Sequence, residues 1–311
     1  MPAFAMLLKS YAGDLAYATR MVESFRAHNA DAVHLFAVVP SGDRPLFSPL
    51  VSDDLTLIDE EELGSHLVDR EVHGLRPGYI NQEIVKLAWW QLGLADNLFT
   101  VDSDAQFIRP FGVSDFMHPD GSPYSILVED RDLAVDPVYF RTYWPRRAAE
   151  HRLIWENIGV DDPVIRTCHG HTTFSRQVLE SFHRDFLEPR GWSYADALEI
   201  SPYEYTWYNA WLLKQSEVAV HPRDPLVKVY HHQEQYVADL ALGVTLTDLA
   251  RGYLAVVVNA NFSRDKGMLT MPSGNAKVSA LAEHLSYGET LALLQAKAAN
   301  SARRLRGISP Q

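Results

Sequence analysis

Over the first 110 residues, short apolar runs alternate with stretches whose apolar positions recur at helical spacing. Phe4 to Leu8 predicts a strand, and Gly13 and Asp14 then open a helix carrying Leu15, Ala18, Met21, Val22 and Phe25 on one face. Val33 to Val39 predicts a second buried strand, ended by the turn Pro40-Ser41-Gly42, and Leu55 to Ile58 predicts a third. Tyr79 to Leu94 places Ile84, Leu87, Ala88, Gln91 and Leu92 on a helix, which leads through Gly93 to Asp96 into the apolar run Leu98, Phe99 and Val101. Strands alternating with helices predict a parallel sheet whose ligands gather at the carboxyl ends of the strands.

Beyond Pro110 the pattern loosens. Tyr124 to Val128 reads as a strand, Val138 to Asn157 as an aromatic-rich helix, and His169 to Phe174 as a strand or loop entering a helix from Arg176 to Phe186. A further helix begins near Pro202 and runs through Trp211; short strands at Val218 to Val220 and Val227 to Tyr230 then lead to His231 and His232. Ser279 to Arg306 is an alanine- and leucine-rich helix with Arg303, Arg304 and Arg306 near its end.

Composition narrows the class of protein. With 311 residues, 47% apolar and 22% charged, the chain is an ordinary globular sequence long enough for a sizeable core. A net charge of -12 with no concentrated basic stripe argues against nucleic acid as a partner. The single Cys168 excludes an internal disulfide, and no CxxC or Cys/His cluster has zinc-site spacing. The N-terminal MPAFAMLLKS reads as a first strand rather than a leader, and no uninterrupted apolar run reaches about 18 residues. A reducing cytoplasm is the expected location.

Candidate chemistry concentrates in Asn97 to Pro110, NLFTVDSDAQFIRP. Alternate residues of an extended chain share a face, so Asp102 and Asp104 project to the same side as the apolar strand ends. Two converging carboxylates repel each other unless a cation lies between them, and a hard divalent ion that also grips phosphate oxygens suits such ligands. A diphosphate is the expected substrate group.

The segments KSYAGD, GYINQEIVKLAWW, NLFTVDSDAQFIRP, HGHTTFSRQVLESF and SPYEYTWYNAW, in that order, resemble glycosyltransferases of the GT-A fold. The likeness is nearest to a bacterial group related to capsule and lipopolysaccharide sugar transferases, and it covers roughly Phe4 to Tyr236. It implies an α/β GT-A (Rossmann-like) fold with a mixed sheet flanked by helices: residues 1–262 as a catalytic domain, with a nucleotide-binding half (1–110) and an acceptor half (111–262), and 263–311 as a C-terminal helical extension. It also implies Mn²⁺ or Mg²⁺ as cofactor, a nucleotide-diphosphate sugar as donor and a glycan or glycolipid as acceptor. Lys9, Ser10, Tyr11 and Asp14 would line the base and ribose end, although Asp14 is equally suited to cap its helix. Lys86 would offset phosphate charge. Asp104 would ligate the metal directly, with Asp102 as the second ligand and Ser103 between them. One of the adjacent His231 and His232 would supply a third ligand; His232 is favoured. His169 and Gly170 would approach the donor sugar or acceptor.

Glu204, flanked by Tyr203, Tyr205, Trp207, Tyr208 and Trp211, is the candidate catalytic base, because aromatic faces suit a sugar and an apolar setting raises a carboxyl pKa. The family pattern carries an acidic residue where this chain has Pro202. The loop Glu129-Asp130-Arg131-Asp132 offers bonds to sugar hydroxyls. Leu281, Leu285, Leu291 and Leu294, with the terminal arginines, would permit weak peripheral contact with the inner face of a membrane. Two rival functions remain at this point. A nucleotidyltransferase also uses paired aspartates, but normally has a glycine-rich basic loop where this chain has KSYAGD; a sugar-binding protein on a degenerate transferase fold would need no turnover.

Overall fold

A computed structural model describes residues 2–129, 140–141, 144–161, 166–167, 171–215, 218–273 and the separate positions 295 and 298. The architecture is α/β, a mixed sheet flanked by helices. The strands are β1 (Ala5–Lys9), β2 (Leu35–Val39), β3 (Leu55–Asp59), β4 (Asn97–Asp102), β5 (Ala105–Phe107), β6 (Tyr124–Ile126), β7 (Val128–Glu129), β8 (Arg166–Thr167), β9 (Thr173–Ser175), β10 (His221–Arg223), β11 (Val227–Tyr230) and β12 (Ala255–Val258). The chain divides into two compact units, one of Met1–Ser103 with Pro110–Pro225 and one of Asp104–Arg109 with Leu226–Gln311. The second unit thus takes in residues 226–262, which the sequence groups with the catalytic domain.

In the first unit the main sheet has the order β3-β2-β1-β4-β9. The first four strands are parallel and β9 joins β4 antiparallel. Covered on both faces, β1 and β4 read as continuous apolar runs, which is why the sequence displays them clearly. The chain winds outward from β1 through β2 to β3 and then returns to place β4 on the other side of β1. That reversal makes the carboxyl ends of β1 and β4, where Lys9 stands opposite Asp102, the switch point at which open α/β sheets bind ligands.

The Leu15–His28 helix buries Tyr17, Ala18, Met21, Val22 and Phe25. The Pro77–Ala88 helix starts with Pro77 in its first turn, where a missing N–H costs nothing. A 3₁₀ turn over Trp89–Leu92 follows and ends at Gly93, whose φ of 63° is the left-handed conformation that glycine adopts freely. This helix and the Glu204–Lys214 helix join one core that includes Leu7, Leu98, Trp89, Trp207 and Tyr208.

Several elements differ from expectation. The Tyr194–Ile200 helix is unanticipated, yet Ser193 and Asp196 form a reciprocal capping box at its start. The strand expected at Val218 to Val220 lies at His221–Arg223, where it pairs in parallel with β6. The expected Val138 to Asn157 helix is described as Trp144–Ile158.

The second unit holds a separate three-stranded sheet of order β11-β12-β5, with β12 antiparallel to β5. Its core gathers Tyr230, Tyr236, Leu240, Val256, Val258 and Met271, with the Gln233–Leu242 helix contributing two of these. The Ser279 to Arg306 helix lies outside the described residues except for Gln295 and Ala298, which are helical and exposed. Among the described residues no helix is long and apolar enough to cross a membrane.

Candidate functional site

The switch point of the main sheet carries a cluster of charged groups in the first unit. β4 delivers Asp102 at its last position, the Pro77–Ala88 helix delivers Glu83 and Lys86, and the Glu204–Lys214 helix delivers Glu204 at its first position. Lys86 Nζ donates to Glu204 Oε1 at 2.8 Å and lies 3.3 Å from Glu83 Oε2 and 3.7 Å from Asp102 Oδ1. Lys86 and Glu204 are each only 4% exposed. A buried ammonium is tolerated only when paired, and here three carboxyl groups surround it.

The protonation states follow from these contacts. Burial disfavours the Lys86 ammonium, but Glu204 and Glu83 outweigh it and hold the lysine well above its ordinary range, so it is charged. Burial, the neighbouring Glu204 charge and a hydrogen bond to it push the Glu83 carboxyl well up, against the Lys86 ammonium. Burial also pushes Asp102 up, but Lys86 and the His171 ring reverse this and hold it below the usual carboxylate range. Its side chain keeps 33% exposure, so Asp102 presents an ionised carboxylate to solvent on one side while its buried side is held.

His171, on the segment entering β9, completes the cluster. Its Nδ1 is 3.3 Å from the Tyr205 hydroxyl, which is itself 3.1 Å from Thr100 Oγ1. Nε2 is buried without a hydrogen-bond partner and lies 3.8 Å from Asp102 Oδ2. Burial lowers the His171 pKa, with Asp102 opposing and Lys86 reinforcing, so the ring is neutral at neutral pH.

The other expected residues fall in several environments. Lys9 is mostly buried and paired with Glu60 at 2.6 Å, and its Nζ also donates to the Ser10 carbonyl. Ser10 is buried and accepts from Ser103 Oγ at 2.9 Å, which ties the ends of β1 and β4 together. Tyr11 is exposed, and its ring lies so close over Gly13 that a Cβ there would come within 2.5 Å of a ring carbon. Asp14 is half-buried at the N-cap position of the Leu15–His28 helix, with no side-chain bond to the helix amides.

Asp104 and His232 belong to the second unit. Asp104 Oδ2 accepts from the Ala260 N–H at 2.8 Å, at the start of the short helix after β12. His232 occupies the N-cap of the Gln233–Leu242 helix, and its N–H donates to Gln235 Oε1 at 3.0 Å. His169, Gly170 and Asp130 to Asp132 lie outside the described residues, while Glu129 is in β7, 3.8 Å from Arg166.

Two expectations change. Glu204, expected as the catalytic base, is buried against Lys86, and a general base must come within hydrogen-bond reach of a substrate proton. Its geometry is that of a positioning residue. Trp207 and Tyr208 form no exposed sugar platform either, since both are core residues; Trp207 Nε1 donates to the Ser201 carbonyl and the Tyr208 hydroxyl accepts from the Ser175 N–H. Sequence reasoning missed Glu83, although it falls between Ile80, Ile84 and Leu87 on the apolar stripe, where a carboxylate needs a buried partner.

A first prediction separates the two glutamates. Glu83→Gln preserves a neutral, hydrogen-bonding side chain and is expected to change stability by less than about 1 kcal/mol at about pH 4.5 and below. Glu204→Gln removes the nearest carboxylate from Lys86 while Glu83 and Asp102 remain beside it, and is expected to cost about 1.5–3 kcal/mol. A carboxyl raised from its ordinary 4.5 binds a proton more tightly in the folded chain. Stability from Glu83 therefore falls as pH rises from 4.5 towards the raised value, and Glu83→Gln gains on the wild type across that window. Urea denaturation of the three proteins, at about pH 5 and about pH 7, reads both effects.

Compared with known proteins, the chain matches no family model and no curated protein.

Proposed function

We propose that this protein is a metal-dependent glycosyltransferase that moves a sugar from a nucleotide-diphosphate sugar to a glycan or glycolipid, in bacterial surface polysaccharide synthesis in the cytoplasm. The observation that carries the reading is Asp102: an ionised, partly exposed carboxylate at the sheet's switch point, backed by the buried Lys86 ammonium, with the His171 ring 3.8 Å away. A structural aspartate at a strand end has no need of such backing.

The fit to a divalent cation rests on the same features. The partly exposed Asp102 carboxylate is an oxygen donor that suits Mn²⁺ or Mg²⁺, and its ionised state spares the proton release that ligation otherwise requires. When bound, such an ion supplies charge neutralisation to a diphosphate leaving group. The protein's own groups do the positioning. Glu204 and Glu83 hold Lys86, Lys86 holds Asp102, and the Ser10–Ser103 bond keeps the ends of β1 and β4 in register. Lys86 thereby acts through Asp102 rather than on phosphate, since it is buried and already paired.

The exposed Tyr11 ring supports the nucleotide end of this reading, because every base has a face that stacks on an aromatic. Tyr11→Ala is expected to weaken Mn²⁺-dependent binding of nucleoside diphosphates by about 1–3 kcal/mol while leaving the melting temperature unchanged. Calorimetry with a panel of nucleoside diphosphates, with and without Mn²⁺, tests this. Equal binding by wild type and variant would remove Tyr11 from the site, and no binding by the wild type would count against the reading as a whole.

A further inference from the structure

A second group of ligating side chains lies away from Asp102, in the first unit. His118 and Asp120 stand on the tight turn between Met117 and Pro123, which is closed by the His118 N–H donating to the Ser122 carbonyl and the Gly121 N–H to the His118 carbonyl, both at 2.9 Å. Gly121 takes φ 89°, a conformation that favours glycine and lets the turn bring the two side chains together. β10 pairs with β6 so that His221 stands opposite Tyr124, two residues past that turn. His221 Nε2 is 2.8 Å from Asp120 Oδ2, and His118 Nδ1 is 3.0 Å from Asp120 Oδ1. The one ligand atom offered by each of the three residues lies within 4.8 Å of the other two.

The two imidazole rings stack at 3.6 Å with an angle of 12° between them. The Ser122 hydroxyl and N–H both donate to Asp120 Oδ1, which fixes the carboxylate on the turn. Beside Asp120 runs a groove of about 590 Å³, walled also by Asp96, Ser122, Arg176 and Glu180. Asn97 on its wall is the first residue of β4, so the groove opens at the amino end of the strand whose carboxyl end bears Asp102.

We propose that His118, Asp120 and His221 form a zinc site that staples the Met117–Pro123 turn to β10. Two imidazole nitrogens and a carboxylate oxygen are a borderline donor set that suits Zn²⁺ better than Mn²⁺ or Mg²⁺, with water as the fourth ligand. Donors at zinc bond lengths around a tetrahedral ion stand about 3.3 Å apart. The present 2.8 and 3.0 Å separations run to different oxygens of Asp120, so ligation through one of them requires a small movement of the two rings. No residue of the Asp102 cluster takes part.

The test uses the full chain, stripped of metal by chelator and dialysis, titrated with Zn²⁺ by calorimetry and with Co²⁺ by visible absorption. Expected are one Zn²⁺ per chain, a rise in melting temperature with added zinc, and the visible bands of a four-coordinate Co²⁺ site. His118→Ala, His221→Ala and Asp120→Asn should each weaken zinc binding at least about tenfold, while Asp104→Ala should not. Zinc binding absent from the wild type, surviving in both histidine variants, or lost in Asp104→Ala would overturn the proposal. If the histidine variants fail to fold, X-ray absorption of the zinc-loaded wild type decides: two imidazole ligands support the site, and one or none overturns it.

Discussion

Lys86→Met is expected to lower the unfolding free energy by about 3–5 kcal/mol, the cost of leaving a buried charge without its partner. For a unit of this size each kcal/mol moves the melting temperature by roughly 2–4 °C, so thermal and urea denaturation both resolve the loss. The magnitude comes from Glu204, whose Oε1 loses its 2.8 Å partner in a place where water does not replace it. Glu83 adds little, because burial and Glu204 favour its protonated form. Adding Glu204→Leu to Lys86→Met removes the stranded charge and should recover most of the stability, since apolar replacements of buried pairs are often neutral or better. Wild-type stability in Lys86→Met would show that the ammonium is not the anchor of the cluster.

Asp102→Asn should have the opposite profile. The asparagine keeps the shape of the side chain, and Lys86 keeps Glu204, so stability should fall by less than about 1 kcal/mol. Turnover of donor sugar nucleotide should fall by about 10²–10³ or more, the usual loss when a charge aimed at a developing transition state is removed. The rate of nucleoside diphosphate release, measured beside a denaturation curve on the same preparation, separates the two effects. A variant as active as wild type would take Asp102 out of the mechanism.

The contrast between the two variants shows which parts of the site the sequence made legible. Asp102 was readable because the apolar run from Leu98 to Val101 announces a buried strand and a carboxylate at its end needs a reason. Lys86 and Glu204 both stand out in the sequence, but as a phosphate partner and a base. Their pairing joins residues 118 positions apart, and local periodicity carries no information across that distance. Glu83 did leave a trace, a charge between Ile80, Ile84 and Leu87, which a strict count of the helix stripe would have flagged. His171 sat beside the noticed His169 and Gly170, and only the pairing of β9 with β4 shows that its ring reaches Asp102.

The fold was legible where strands are buried on both faces and obscure where elements are short. β1 to β4 stand out as apolar runs, whereas β12 was overlooked, although its Ala-Val-Val-Val sequence and the Tyr236, Val237, Leu240, Ala241 spacing of the helix before it mark a β-α-β unit. The grouping of Asp104–Arg109 with residues beyond 225 depends on β5 pairing with β12. That is a long-range register which a three-residue strand does not advertise.

The claim that Asp102 and its neighbours serve sugar transfer is tested most directly by incubating the purified protein with a panel of nucleotide-diphosphate sugars and following nucleoside diphosphate release with and without Mn²⁺, in wild type and in Asp104→Ala. Release from at least one donor that requires the metal in the wild type, and is lost in the variant, is the predicted result. Absence of any metal-dependent binding or release in the wild type, or release unchanged in Asp104→Ala, would contradict it.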